Sequence, residues 1–186
     1  MRDGDTAWHP ETGQAVLDFG VKELAERAAD VHTAVVEEAK ASELDDEEMF
    51  ARASGEFARA LDLEDHDPSE ARAAYQRALE LDPGLVDAYV NLGRLAHEAG
   101  EAKASTRLYE QALVRSSLDP VIHFNLALAL EDSQGPQEAA RHYELAIAID
   151  PNFSDAHFNL ANLYEALGRP QDALRHYSAY KRLTEV

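Results

Sequence analysis

Apolar residues recur along most of the chain at spacings of three and four, the period of a helix with one buried face. In the C-terminal half this pattern repeats itself. Leu92, Leu126 and Leu160 are 34 residues apart, within "YVNLGRLAHEAGE", "HFNLALALEDSQG" and "HFNLANLYEALGR". A small residue follows each leucine (Gly93, Ala127, Ala161). A second small residue comes further on (Ser105, Ala139, Ala173), then a tyrosine (Tyr109, Tyr143, Tyr177), then Ala112, Ala146 and Tyr180. An earlier half-copy, "SEARAAYQRALELDP", matches through Ala71, Tyr75, Ala78 and Pro83.

Glycine or proline divides each unit into two halves: Asp67-Pro68, Gly100, Gly135-Pro136, and Gly168 with Pro170. Proline fits the first turn of a helix, where its missing N–H has no partner to lose. Asp-Pro at 82–83 and 150–151 closes two units. The pattern predicts antiparallel helix pairs. The small residues let paired helices approach closely, and stacked pairs bury the face that one pair leaves open.

This arrangement resembles the tetratricopeptide repeat over about residues 45–186, most clearly over 85–186. The resemblance implies an all-α superhelix of roughly 3.5 to 4 helix pairs that serves as a protein-binding scaffold. The expected divisions are a degenerate first repeat at 45–84, then repeats at 85–119, 120–153 and 154–186. There are departures from the family pattern: Tyr89, His123 and His157 stand where tryptophan is frequent, and Ser117 stands where proline is usual. The first repeat fits in either of two ways. Phe50, Ala53, Ser54 and Phe57 supply its first helix, the preferred alternative, or its register starts at Ser54.

Upstream, "DTAWHPETGQAVLDFG" predicts a short β-hairpin within residues 1–19, with a Pro-Glu-Thr-Gly turn and a second strand at Gln14–Phe19. A charged N-terminal helix follows within residues 20–44, with Leu24, Ala28, Val31 and Val35 as its apolar stripe. That helix suits either a cap on the array or a homodimer seam. The acidic run "SELDDEE" at 42–48 reads as the start of the next helix, with Asp45 and Glu48 as a capping box. Trp8, Pro10, Thr12, Gly13 and Gln14 are similar to a segment that precedes the repeats in MerR-like bacterial regulators. This shorter resemblance implies a regulatory, oligomerising C-terminal region whose DNA-binding part lies outside the chain.

Composition narrows the function. The 186 residues carry a formal net charge of −19 and no cysteine. Residues 1–50 hold 14 acids against 4 Lys/Arg, and residues 51–186 hold 22 against 13, so the acidity is spread. Such a chain is a poor partner for nucleic acid or an anionic membrane. It favours partners with basic or mixed-charge surfaces. Without cysteine there is no disulfide, thiolate metal site or cysteine nucleophile. No apolar run approaches a membrane span and no signal peptide is evident, which points to the cytoplasm.

No phosphate loop, nucleophile elbow or HExxH motif is present; "HEAGE" at 97–101 lacks the second histidine. The expectation is a non-enzyme with neither cofactor nor metal. His123 and His157, like His142 and His176, occupy equivalent places in adjacent repeats, about a helix-packing distance apart and too far for shared zinc.

Asparagine is a mediocre helix former, yet Asn91, Asn125 and Asn159 recur inside the first helices of successive repeats. The tetratricopeptide resemblance implies that these helices line a concave groove. A ladder of amides there can donate to and accept from the backbone of an extended peptide. The alternative is that the asparagines serve repeat architecture. Val90, Phe124 and Phe158 would give the groove an apolar strip, with Arg94, Leu128 and Asn162 beside it. Asp87, Asp155, Glu98, Glu131, Asp132 and Glu165 would make it acidic. Arg94 is the one cation of this set, so an acidic tail is disfavoured and an extended partner with apolar and basic residues is favoured. At the C-terminal end, Leu160, Leu163, Leu167, Leu174 and Tyr180 are candidates for an exposed apolar patch.

Overall fold

The computed structural model describes residues 2–3, 6–8, 15–17, 21–133 and 135–185, and resolves into two units, Met1–Glu48 and Met49–Val186. In the first unit, strands β1 (Arg2–Asp3), β2 (Thr6–Trp8) and β3 (Ala15–Leu17) pair antiparallel in that order, with Ala7 opposite Val16. The turn expected at Pro-Glu-Thr-Gly and both ends of the expected Gln14–Phe19 strand lie outside the described residues.

Helix α1 runs without interruption over Val21–Leu63. The helix crosses the expected boundary between 44 and 45 without a break, and the two compact units divide close by, at Glu48 and Met49. The "SELDDEE" segment is helix interior, and Asp45 caps nothing. The physical reason is that a capping box only competes where the chain can leave the helix. From Val21 to Ser54 there is no glycine or proline to make it leave.

The second unit continues from α1 into seven further helices: α2 (Pro68–Leu81), α3 (Val86–Glu98), α4 (Ala102–Arg115), α5 (Pro120–Asp132), α6 (Pro136–Ile149), α7 (Ser154–Ala166) and α8 (Pro170–Thr184). Their ends follow from the punctuation in the sequence. Asp67 accepts a hydrogen bond from the Glu70 N–H at 3.1 Å, and Asp119 accepts from the Val121 N–H at 2.8 Å, each just before a first-turn proline. Gly100 and Gly168 end α3 and α7 in the left-handed region, at φ 76° and 71°. In the two Asp-Pro loops, Asp82 takes the Gly84 N–H at 2.8 Å and Asp150 takes the Asn152 N–H at 2.9 Å.

The core is built where paired helices meet. Ala71, Ala88, Ala127, Ala139, Ala156 and Ala161 have no exposed surface, and Tyr75, Tyr109 and Tyr143 are buried among them. Such small residues allow the backbones to close up while the tyrosine rings fill the space between successive pairs. At Gly93 the fit is closest: a Cβ there would lie 2.7 Å from Tyr109 Cε1.

The first repeat takes neither expected register. Phe50 is 63% exposed and contributes nothing to the core. Instead Phe57 sets its ring edge-on to Tyr75 at 5.4 Å, Ala60 is fully buried, and Glu64 accepts the Tyr75 hydroxyl at 2.6 Å. In the third repeat Phe124, Ala127 and Glu131 do the same with Tyr143. The connection "LEDHDP" is one residue shorter than "LEDSQGP", so counting back by a full unit misplaces the helix. At the C-terminal end the expected patch is smaller than the sequence suggested: Leu160 and Leu163 are buried, whereas Leu174 is 67% exposed.

Candidate functional site

The first helices α3, α5 and α7 carry the amide ladder, one asparagine on each, at the same turn. Asn91, Asn125 and Asn159 are all half-buried. Asn125 and Asn159 make no hydrogen bond with another described residue, so their amides are not engaged in holding the repeats together. Asn91 stands by the Tyr75 hydroxyl. Burial first, and then the bond to Glu64, push that phenol well above its ordinary range, while Arg94 and Asn91 act in the opposite direction.

One residue before each amide lies the apolar strip. Phe124 packs against Tyr143 at 5.7 Å and Phe153 at 4.9 Å between ring centroids, and Phe158 packs against Tyr180 at 5.0 Å. Val90 and Leu128 are half-buried against the core, and Phe158 is exposed. Asn162 is engaged: it accepts the Tyr177 hydroxyl at 2.6 Å, which also reaches Glu165 at 3.0 Å.

The carboxylates form a second ladder. Glu64, Glu131 and Glu165 occupy corresponding places near the ends of first helices, and in the second repeat His97 stands there with Glu98 one residue on. Glu64, Glu131 and Glu165 each accept a tyrosine hydroxyl from the second helix of the pair. Arg94, the one cation expected of the groove, is bound to Glu98 at 2.7 Å and to Glu64. Its charge is therefore met within the chain, and the surrounding surface stays acidic.

Two histidine pairs escape a comparison of equivalent histidines across repeats. The pairing runs within a repeat, between helices. His123 and His142 meet Nδ1 to Nδ1 at 3.0 Å, as do His157 and His176. Each first-helix imidazole also puts its Nε2 3.2 Å from a backbone carbonyl, of Ser117 or Pro151. A neutral pair satisfies this geometry: the first-helix Nε2–H donates to the carbonyl, and the second-helix Nδ1–H donates to the free Nδ1. Burial, then the facing first-helix histidine, hold His142 and His176 below the ordinary imidazole value. The 19-residue spacing, present twice, was the available signal. Among the described residues no group of three or more metal-ligating side chains is assembled.

Comparison with known proteins bears on the array itself. Two family models described as tetratricopeptide repeat match, one over residues 62–123 and one over 142–175. The chain belongs to the tetratricopeptide repeat family. Among solved structures it is similar to a "Crystal structure of MamA" at TM-score 0.69 and 18% identity, covering 91% of this chain and 96% of that one. It is similar also to "MamA 41-end from Desulfovibrio magneticus RS-1" at TM-score 0.66 and 17% identity, covering 70% and 75%. A third likeness, "MamA AMB-1 P212121", has TM-score 0.63 and 20% identity over 72% and 73%. At these identities the likeness is one of fold. A comparison with curated protein sequences gives no match. Among the described residues of this tetratricopeptide repeat array, no helix is long and apolar enough to cross a membrane.

Proposed function

We propose that the array is a protein-interaction module that holds an extended peptide along the face carrying Asn91, Asn125 and Asn159. The observation that carries this reading is that the half-buried Asn125 and Asn159 amides have no hydrogen-bond partner among the described residues. Their amide atoms are not among the fully buried unpartnered ones, so they are open to bond a ligand in place of water. An extended backbone offers a donor and an acceptor at each residue. Val90, Phe124, Phe158 and Leu128 receive apolar side chains of the peptide. The carboxylates around them, with Arg94 already neutralised, select basic over acidic residues. The repeats at 85–119, 120–153 and 154–186 each contribute one amide.

The test is fluorescence binding of a peptide library of mixed charge to the wild type and to the Asn91→Ala/Asn125→Ala/Asn159→Ala triple variant, with folding checked by circular dichroism. Peptides rich in apolar and basic residues are expected to bind, with at least a roughly tenfold loss in the triple variant from removal of several hydrogen bonds. Selection of acidic peptides, or binding untouched by the substitutions, would count against the proposal.

A further inference from the structure

The repeat supplies an internal comparison on another part of the array, lined by none of the ladder residues. A second helix, the next first helix and the following second helix form a triad that recurs three times, by shifts of 34 residues. In two of these clefts an arginine of the chain itself sits against the lining, and beside Arg72 a cavity of about 450 Å³ remains.

In the cleft between α2, α3 and α4, Arg72 reaches both oxygens of Glu101 at 3.0 Å and the Leu95 carbonyl at 2.7 Å. In the cleft between α6, α7 and α8, Arg169 enters from the loop before α8. Its guanidinium lies 4.1 Å from the Tyr164 ring centroid and 2.8 Å from Asp172, and the Tyr164 hydroxyl donates to Glu144. These are the contacts a guanidinium seeks: a carboxylate fork, a carbonyl and an aromatic face.

The middle cleft, between α4, α5 and α6, has neither arginine. Thr106 replaces Arg72, and its hydroxyl is buried without a hydrogen-bond partner. Gly135 replaces Arg169, and Leu130 replaces Tyr164. What remains is an open cavity with Leu113, Leu126 and Leu130 as its floor and Glu110, Glu138 and His142 at its sides. Neither Glu110 nor Glu138 has an ion pair or hydrogen bond among the described residues, although Arg141 lies one turn beyond Glu138. His142 does not oppose a cation at neutral pH. Burial and His123 hold it neutral, with Arg141 acting in the same direction and Glu138 against them.

We infer that the middle cleft is a docking site for an arginine side chain of a partner polypeptide, flanked by apolar residues. The guanidinium takes the place that Arg169 holds against Asp172, the counterpart of Glu138, with Glu110 standing where Glu144 stands in that cleft. The flanking residues cover the leucine floor. Lysine is a poorer occupant, because a point charge gains less from two separated carboxylates and an apolar floor than a planar fork does.

The chain itself provides the control. Gly135 has φ −108° and ψ 54°, close to the −110° and 63° of Arg169, and a Cβ at Gly135 meets its nearest atom at 3.5 Å. Gly135→Arg is thus expected to fold and to fill the cleft from within. The experiment titrates the ¹⁵N-labelled full chain with the peptide acetyl-Ala-Leu-Arg-Leu-Ala-amide and with its citrulline counterpart, following backbone amide shifts. Expected are saturable shifts around Glu110, Leu130, Glu138 and His142, and binding at least about tenfold weaker for citrulline, which keeps the shape and loses the charge. The same loss is expected in Gly135→Arg and in Glu110→Gln/Glu138→Gln, the second variant guarding against a folding defect in the first. Equal response to both peptides, shifts confined to the helices around Asn91, Asn125 and Asn159, or no response overturns the inference. Shifts confined to the asparagine helices would leave the peptide groove standing while removing this site.

Discussion

The second and third repeats are built to one plan and filled differently. In the third, Ala127 sits against Tyr143, whose hydroxyl reaches Glu131 at 2.5 Å. In the second, Gly93 replaces the alanine and the Tyr109 ring moves into the space a Cβ would need. At the head of the first helix the same exposed loop carbonyl is met in two ways. Tyr89 reaches the Pro83 carbonyl with its hydroxyl at 3.4 Å, and Arg115 lies 4.5 Å from the ring centroid. His123 reaches the Ser117 carbonyl with Nε2 at 3.2 Å and leans on His142. The backbone plan thus specifies a volume and an acceptor, and several side chains meet that requirement. What an individual repeat adds is carried by how it does so.

Gly93→Ala should sharpen this contrast most. The added methyl meets a buried ring, so a loss of about 1–3 kcal/mol is expected from overpacking. The reciprocal Ala127→Gly should cost about 1 kcal/mol, through helix propensity and lost packing. Urea unfolding of both variants measures the pair, and a neutral Gly93→Ala would show that the Tyr109 ring yields. Next comes Tyr143→Phe. It removes the buried donor to Glu131, with an expected cost of about 1–2 kcal/mol by the same unfolding assay.

The histidine pairs separate the repeats by pH. His142 and His176 have folded-state pKa values below the ordinary imidazole value of about 6.5, so the unfolded chain takes up protons first as pH falls. Their contribution to stability is therefore complete above that value and declines as pH drops below it. A wild-type stability curve minus that of His142→Gln/His176→Gln should be flat above neutrality and slope downward below about pH 6.5. A flat difference throughout would mean the pairs tolerate protonation. The smallest effect tests the continuity of α1. In a helix interior Asp45→Ala should gain a few tenths of a kcal/mol. A loss near 1 kcal/mol would restore the cap read from the sequence.

The repeat plan was legible because its period is written several times, in Leu92, Leu126 and Leu160 and in the glycine and proline punctuation between helices. The first repeat was less legible because it has one copy of each signal and a connection one residue short. "LED" at 63–65, matching "LED" at 130–132, held the correct register. The unbroken α1 was not legible because the capping preferences of Asp45 and Glu48 act only where the chain can leave a helix, and no glycine or proline between Val21 and Ser54 makes it leave. For the candidate site, periodicity placed Asn91, Asn125 and Asn159 on successive first helices. It could not distinguish amides that are bonded, as Asn162 is to Tyr177, from amides that are not. Nor could it show that Arg94 is held by Glu64 and Glu98. Those facts depend on which side chain of a neighbouring helix reaches across.

The most direct measurement is a footprint of a bound peptide. An apolar, basic peptide selected by binding, carrying a photo-crosslinker, would be attached to the full wild-type chain and the sites read by mass spectrometry. Crosslinks along α3, α5 and α7, around Asn91, Asn125 and Asn159, are the expected result. Crosslinks confined to α4, α6 and α8 would contradict the peptide groove.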